Sequence, residues 1–186
     1  MLSKPRPLIS ASLLAAAALF AMPALAETVR LNTSQGDIVI ALERDKAPKT
    51  VDNFVRYVNA KHFDGLIFHR VIDGFMIQGG GMTPDMKERP TRAPIPLEAG
   101  NGLSNVRGSV AMARTSNPNS ATAQFFINLV DNSRLDTAGG GYAVFGRVVE
   151  GMEVVDKIRA VPTAAGPMHQ NVPTTPVVIN KATLEK

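Results

Sequence analysis

The 186-residue chain contains no cysteine. That absence excludes disulfides, thiol nucleophiles and thiolate metal sites, and leaves stability to a packed apolar core. The familiar signatures of covalent and nucleotide chemistry are missing too. There is no Gly-x-Ser-x-Gly, no His-Glu-x-x-His and no Gly-x-x-x-x-Gly-Lys-[Ser/Thr]. His62, His69 and His169 have no metal-ligand spacing, and Gly79-Gly80-Gly81 lacks the dinucleotide fingerprint. Neither a cofactor nor a metal is expected. Basic stripes are also lacking, so nothing resembles a surface built to neutralise phosphates, and no nucleic-acid partner is expected.

Long hydrophobic runs are scarce. The apolar stretch Leu8 to Phe20 covers about 13 residues, whereas a membrane span needs roughly 20. Lys4 and Arg6 precede it, Pro23 breaks it, and Ala24-Leu25-Ala26 supplies a small-x-small cleavage pattern. This is the order of a secretory signal, so residues 1–26 are expected to be removed and the protein to leave the cytoplasm. Cleavage leaves residues 27–186 as one domain-sized unit with no membrane segment. Lys4 and Arg6 depart without an acid, which takes the formal charge from +4 to +2.

Along residues 27–186 the apolar residues come mostly in short alternating runs. Val29 and Leu31, then Ile38, Ile40 and Leu42, flank the turn Ser34-Gln35-Gly36 and read as a hairpin. Further strands are expected at Leu66–Val71, Phe75–Gly79, Ser109–Ala113, Phe125–Val130, Ala143–Val149 and Val177–Ala182, eight in all. Two helices interrupt the pattern. Pro48–Ala60 puts Val51, Phe54, Val55 and Val58 on one face, and Met152–Arg159 repeats that spacing with Val155 and Ile158. An antiparallel barrel covered by two helices satisfies this count, because closure removes sheet edges. Two irregular stretches, Gly80–Gly108 and Arg114–Ala123, are either functional loops or tolerated surface insertions.

Three segments mix polar groups with large apolar ones. Phe68 to Gly80 reads F-H-R-V-I-D-G-F-M-I-Q-G-G, Ser120 to Asn128 reads S-A-T-A-Q-F-F-I-N, and R-L-D (Arg134 to Asp136) precedes G-Y-A-V-F-G (Gly141 to Gly146). In this order the segments resemble a cyclophilin, over essentially all of residues 27–186. Together with the signal segment, their wording is similar to the periplasmic cyclophilins of Gram-negative bacteria. The resemblance implies a closed eight-stranded antiparallel barrel capped by two helices. It also implies cis–trans isomerisation of X-Pro bonds in proline-containing, unfolded or partly folded chains, by a monomer. A holdase that grips such chains without turnover is the alternative, and a scaffold for adhesion a remoter one.

Carried onto this sequence, the family's site implies Arg70 as the catalytic arginine, with Gln78 beside it. Phe75, Met76, Phe126 and Leu135 correspond to the pocket for the substrate proline, and Gln124 to a second polar group holding the peptide. Ala113 and the backbone of Arg114 match the strand edge along which substrate lies. Tyr142 stands where many eukaryotic members have histidine, and Arg134 where many have a tryptophan that helps bind cyclosporin.

Turn chemistry adds a register expectation. A three-residue loop Ile72-Asp73-Gly74, with Gly74 left-handed, pairs Arg70 with Met76 and puts Arg70, Met76 and Gln78 on one face. A two-residue Asp73-Gly74 turn would pair Arg70 with Ile77 and separate it from Gln78.

Overall fold

In the computed structural model the described residues are 27–166 and 169–185. The expected signal segment, residues 1–26, lies outside them. Ten strands form in chain order: β1 (Thr28–Thr33), β2 (Gly36–Leu42), β3 (Leu66–Ile72), β4 (Met76–Met82), β5 (Ser109–Met112), β6 (Phe125–Asn128), β7 (Val144–Glu150), β8 (Thr163–Ala164), β9 (Val172–Pro173) and β10 (Val178–Glu185). Eight of them close a barrel in the order β1-β10-β3-β4-β6-β5-β7-β2, with antiparallel pairing throughout. The eight expected strands are the eight barrel strands. The β8–β9 ribbon is additional, and periodicity gave no sign of it because its strands are two residues long. No helix among the described residues is long and apolar enough to cross a membrane.

Helix α1 (Pro48–Asn59) buries Val51, Phe54, Tyr57 and Val58 against the barrel, as its spacing requires. Its N-cap, Ala47, has no side chain able to accept a bond. Glu98 supplies the acceptor instead, taking the N–H groups of Lys49 and Thr50 at 3.1 and 2.8 Å, where a carboxylate also complements the helix dipole. Helix α2 (Met152–Arg159) buries Val154, Val155 and Ile158. Phe54 joins the two sides of the core: its ring lies 5.0 to 5.5 Å from those of Phe63, Phe125 and Phe145.

The β3–β4 hairpin corrects the expected register by one step. Its three-residue loop is Asp73–Phe75, with Ile72 opposite Met76 and Arg70 opposite Gln78. The Phe75 N–H bonds the Ile72 carbonyl at 3.1 Å, and Gly74, at φ 70°, takes the position where such a turn needs a left-handed residue. Ile72, being β-branched, remains in the strand. The step preserves side-chain parity, so Arg70, Met76 and Gln78 still share a face.

A bulge decides which face that is. The register passes from Phe68↔Gly79 to Arg70↔Gln78 and leaves His69 unpaired. Phe68 fills the barrel core, whereas Arg70 opens onto a hollow outside the barrel wall. Without the extra residue both would point the same way. On the facing strand, β4 continues through Gly80 and Gly81 to Met82, so the expected loop at 80–108 begins later than its glycines suggested.

Candidate functional site

A second, smaller apolar cluster lies on the outer face of β4, β5, β6 and β7. Met76, Ala111, Phe126, Leu135 and Val144 form its buried part, with Phe75, Ala113 and Tyr142 packed at its border. Above it is a hollow of about 190 Å³. Of the residues expected at the site, Phe75, Met76, Phe126 and Leu135 line the apolar end, and Arg70, Gln78, Ala113, Arg114 and Tyr142 line the rest. Gln124 stands one step back. It borders an adjoining depression and accepts a hydrogen bond from Gln78 Nε2 on its Oε1 at 2.9 Å.

That bond is one link of a polar relay. Arg70 Nη1 donates to Gln78 Oε1 at 3.4 Å, and Gln78 passes the alignment on to Gln124. Gly81 makes room for the last link, because a Cβ there would sit 2.6 Å from the Gln124 side chain. The guanidinium is thereby oriented from one side and keeps its remaining N–H groups for a ligand in the hollow.

The apolar end is held by buried amides. The Phe75 carbonyl accepts from Leu129 N–H at 3.0 Å and from Asn132 Nδ2 at 2.9 Å, which fixes the hairpin loop over the hollow. Asn132 Nδ2 also reaches Asn128 Oδ1, and Asn128 Nδ2 reaches Ser109 and Asn105. Leu135 sits on a short 3-10 turn, Ser133–Asp136, tied down by the Asp136 carboxylate. Burial alone would raise the pKa of Asp136, but bonds from Ser104 and Asn105 outweigh it and hold it below the ordinary range.

Arg114 contributes more than its backbone. Its guanidinium donates to the carbonyls of Gly141, Thr115, Ala138 and Gly139 at 2.9 to 3.1 Å. It also lies 4.3 Å from the centroid of the Tyr142 ring. The side chain therefore braces the glycine-rich segment that carries Tyr142, and Tyr142 in turn meets Phe126 edge-on at 5.8 Å. The backbone N–H of Ala113 is spent on the Gln124 carbonyl at 3.0 Å.

One lining residue escaped the sequence reading. His169 follows β8 and borders both the hollow and the adjoining depression. The β8–β9 segment is anchored where the Val71 N–H bonds the Asn171 carbonyl at 2.9 Å. His169 packs on His69, with ring centroids 5.0 Å apart. His69 itself is fully buried, and neither ring nitrogen has a hydrogen-bond partner. Burial first, then the neighbouring His169 and Arg70 charges, push its pKa down to about 4, so it is neutral beside Arg70 at pH 7.

Comparison with known proteins agrees with this geometry. The family described as "Cyclophilin type peptidyl-prolyl cis-trans isomerase/CLD" matches residues 28–184. The chain belongs to the cyclophilin family. It is a peptidyl-prolyl cis-trans isomerase, as are its curated relatives by name. A Streptomyces antibioticus isomerase is 59% identical over 160 residues, covering 83% of this chain and 96% of the relative. Peptidyl-prolyl cis-trans isomerase B of Escherichia coli is 53% identical, covering 85% of this chain and 99% of the relative. Among solved structures, a cyclophilin of Cryptosporidium parvum superposes with a TM-score of 0.73 at 25% identity, covering 87% of this chain and 98% of that one. A second structure of that cyclophilin, determined in the presence of the dipeptide Ala-Pro, gives a TM-score of 0.72. This cyclophilin thus has the eight-stranded barrel and two helices expected for the family.

Proposed function

We propose that this cyclophilin accelerates X-Pro rotation in exported polypeptides, through Arg70 acting above an apolar seat for proline. The observation that carries the reading is the placement of Arg70. Its guanidinium is aligned by Gln78 and Gln124 at the polar edge of a hollow whose other end is Phe75, Met76, Phe126 and Leu135. The relative determined with Ala-Pro supports a proline-containing ligand for that hollow.

The chemistry needed is slight. Amide resonance opposes rotation with a barrier of ~18–20 kcal/mol, and uncatalysed X-Pro exchange takes tens to hundreds of seconds. Twisting the bond localises the lone pair on the prolyl nitrogen, which becomes a better acceptor. A fixed guanidinium meets that nitrogen in the twisted form and much less in either planar form, and only such a difference lowers the barrier. A charge-assisted bond contributes roughly 1.5–3 kcal/mol, or about 10- to 150-fold in rate. Phe75, Met76, Phe126 and Leu135 grip the ring and exclude water, which strengthens the bond and fixes the proline for rotation.

The setting follows from residues 1–26. The signal segment is removed, and the mature monomer works on unfolded chains outside the cytoplasm, in the periplasm of a Gram-negative cell. Mass spectrometry of the protein recovered from the periplasmic fraction tests this, and recovery of the uncleaved chain in the cytoplasm overturns it.

The catalytic reading is tested by cis-to-trans conversion of a short X-Pro peptide with the wild-type domain and Arg70→Ala. At least a tenfold fall in the variant, with folding unchanged, is expected. No acceleration by folded wild type would leave a holdase that binds without turnover. Equal rates in the two proteins would remove Arg70 from the mechanism.

A further inference from the structure

The hollow at the C-terminal end of α1 takes no part in the reaction derived above. It measures about 360 Å³, and Tyr57, Lys61, His62, Arg89, Thr91 and Arg92 line it. Three of these residues are cationic and no lining residue is acidic. Among the described residues Lys61, Arg89 and Arg92 enter no ion pair.

The cations are held rather than merely near one another. Arg89 Nη1 donates to the carbonyls of His62 and Asp64 at 2.8 and 2.9 Å, and its backbone N–H bonds Gly81 O at 2.9 Å. The Arg92 guanidinium lies 5.4 Å from the Tyr57 ring centroid, and its backbone N–H donates to the Tyr57 hydroxyl at 2.8 Å. The helix end does not cancel this charge. The carbonyls of Arg56, Tyr57 and Val58 are already taken by the N–H groups of Ala60, His62 and Lys61, respectively.

His62 lines the hollow without adding to its charge. It is 8% exposed, yet its Nε2 has no hydrogen-bond partner. Burial and the charges of Arg89 and Arg92 lower its pKa, so the ring is neutral at pH 7.

The hollow also lies beside the site. Thr91 borders both it and the adjoining depression, and that depression shares Gln78, Ala113, Arg114 and His169 with the hollow under Arg70. One carboxylate, Glu88, lies on the intervening depression and disfavours acidic residues there. Proline seat, side depression and cationic hollow thus follow one another across the surface.

We propose that the cationic hollow is an exosite for acidic residues of the client polypeptide. A segment leaving the proline seat crosses the side depression and sets its carboxylates between Lys61, Arg89 and Arg92. The proposal rests on the reading that the hollow under Arg70 seats a client's proline. An extended peptide fits the route, whereas a nucleic acid finds only a small local patch on a domain of low net charge.

Two labelled peptides decide it, each with one X-Pro unit and a tail of either Glu or Gln residues. The Glu-tailed peptide is expected to bind wild type about 5- to 10-fold more tightly, as two or three surface ion pairs allow. The gap should vanish in Lys61→Glu/Arg92→Glu and at roughly 0.5 M salt, where screening shortens to a few Å. Amide shifts at Lys61, Thr91 and Arg92 should move only with the Glu tail. Equal affinities in wild type, or a gap that survives in the double variant, would overturn the exosite. The Gln-tailed peptide, bound equally by both proteins, shows that the variant is folded. Turnover of a tail-less peptide reads the Arg70 mechanism separately, so its failure is not confused with failure of the exosite.

Discussion

Phe68 and Arg70 stand two residues apart on β3 yet face opposite sides of the barrel wall, one into the core and the other into the hollow. Alternation would have sent both the same way. The unpaired His69 between them reverses the strand's parity and turns a core strand into one that also presents a guanidinium. The bulge thus lets a single strand serve barrel and site.

The relay behind Arg70 can be broken without touching it. Gly81→Ala places a methyl 2.6 Å from the movable Gln124 side chain, at a residue with ordinary negative φ. Gln124 should swing aside and release Gln78. The expected result is a fall of about 2- to 10-fold in kcat/KM for a short X-Pro peptide, the worth of one hydrogen bond, with a far-UV spectrum unchanged. Undiminished turnover in a variant shown to have lost the Gln78–Gln124 contact would make the relay irrelevant to rate.

His69 makes stability depend on acid. Its folded pKa is depressed to about 4 by burial, while in the unfolded chain it titrates near 6.5. The stabilising difference is fully present above pH 6.5 and is lost as pH falls from there towards 4. Denaturant unfolding at pH 7 and pH 5 should differ by on the order of 2 kcal/mol from this residue. His69→Leu should remove that share of the loss, which a comparison of the two proteins at both pH values measures. An identical loss in the variant would assign the acid sensitivity to other groups.

Arg134 is expected to weaken cyclosporin binding. Its guanidinium lies 5.6 Å from the Phe75 ring centroid, at the rim where many eukaryotic cyclophilins place tryptophan. An arginine over Phe75 reproduces neither the indole's apolar area nor its N–H donor. Cyclosporin should inhibit wild type weakly, and Arg134→Trp should tighten inhibition while leaving peptide turnover within about twofold. Nanomolar inhibition of wild type in a competition assay would contradict this.

Much of this was legible in the sequence because the signals were local. Alternation around Val29 and Ile38, the face made by Val51, Phe54 and Val58, and the motifs around Arg70 and Phe126 are each contained in a few consecutive residues. What was hidden depends on distant partners. The bulge at His69 arises from how β3 meets the glycines of β4, and no residue within the Phe68–Ile72 run announces it. His169 reaches the site only because the β8–β9 ribbon docks on Val71, and ribbons of two-residue strands leave no period to read. The bracing role of the Arg114 side chain likewise depends on carbonyls contributed by Ala138, Gly139 and Gly141.

The pairing of β1 with β10 has a bearing on how the chain is made. Arg30 and Glu185, whose side chains bond at 2.7 Å, are 155 positions apart. A polypeptide emerging N-terminus first from a ribosome exposes β1 long before β10 exists to pair with it. The barrel stays open until the segment around Glu185 arrives, and then closes in a step dominated by long-range contacts. Assembly of the barrel therefore waits on β10 rather than on β1.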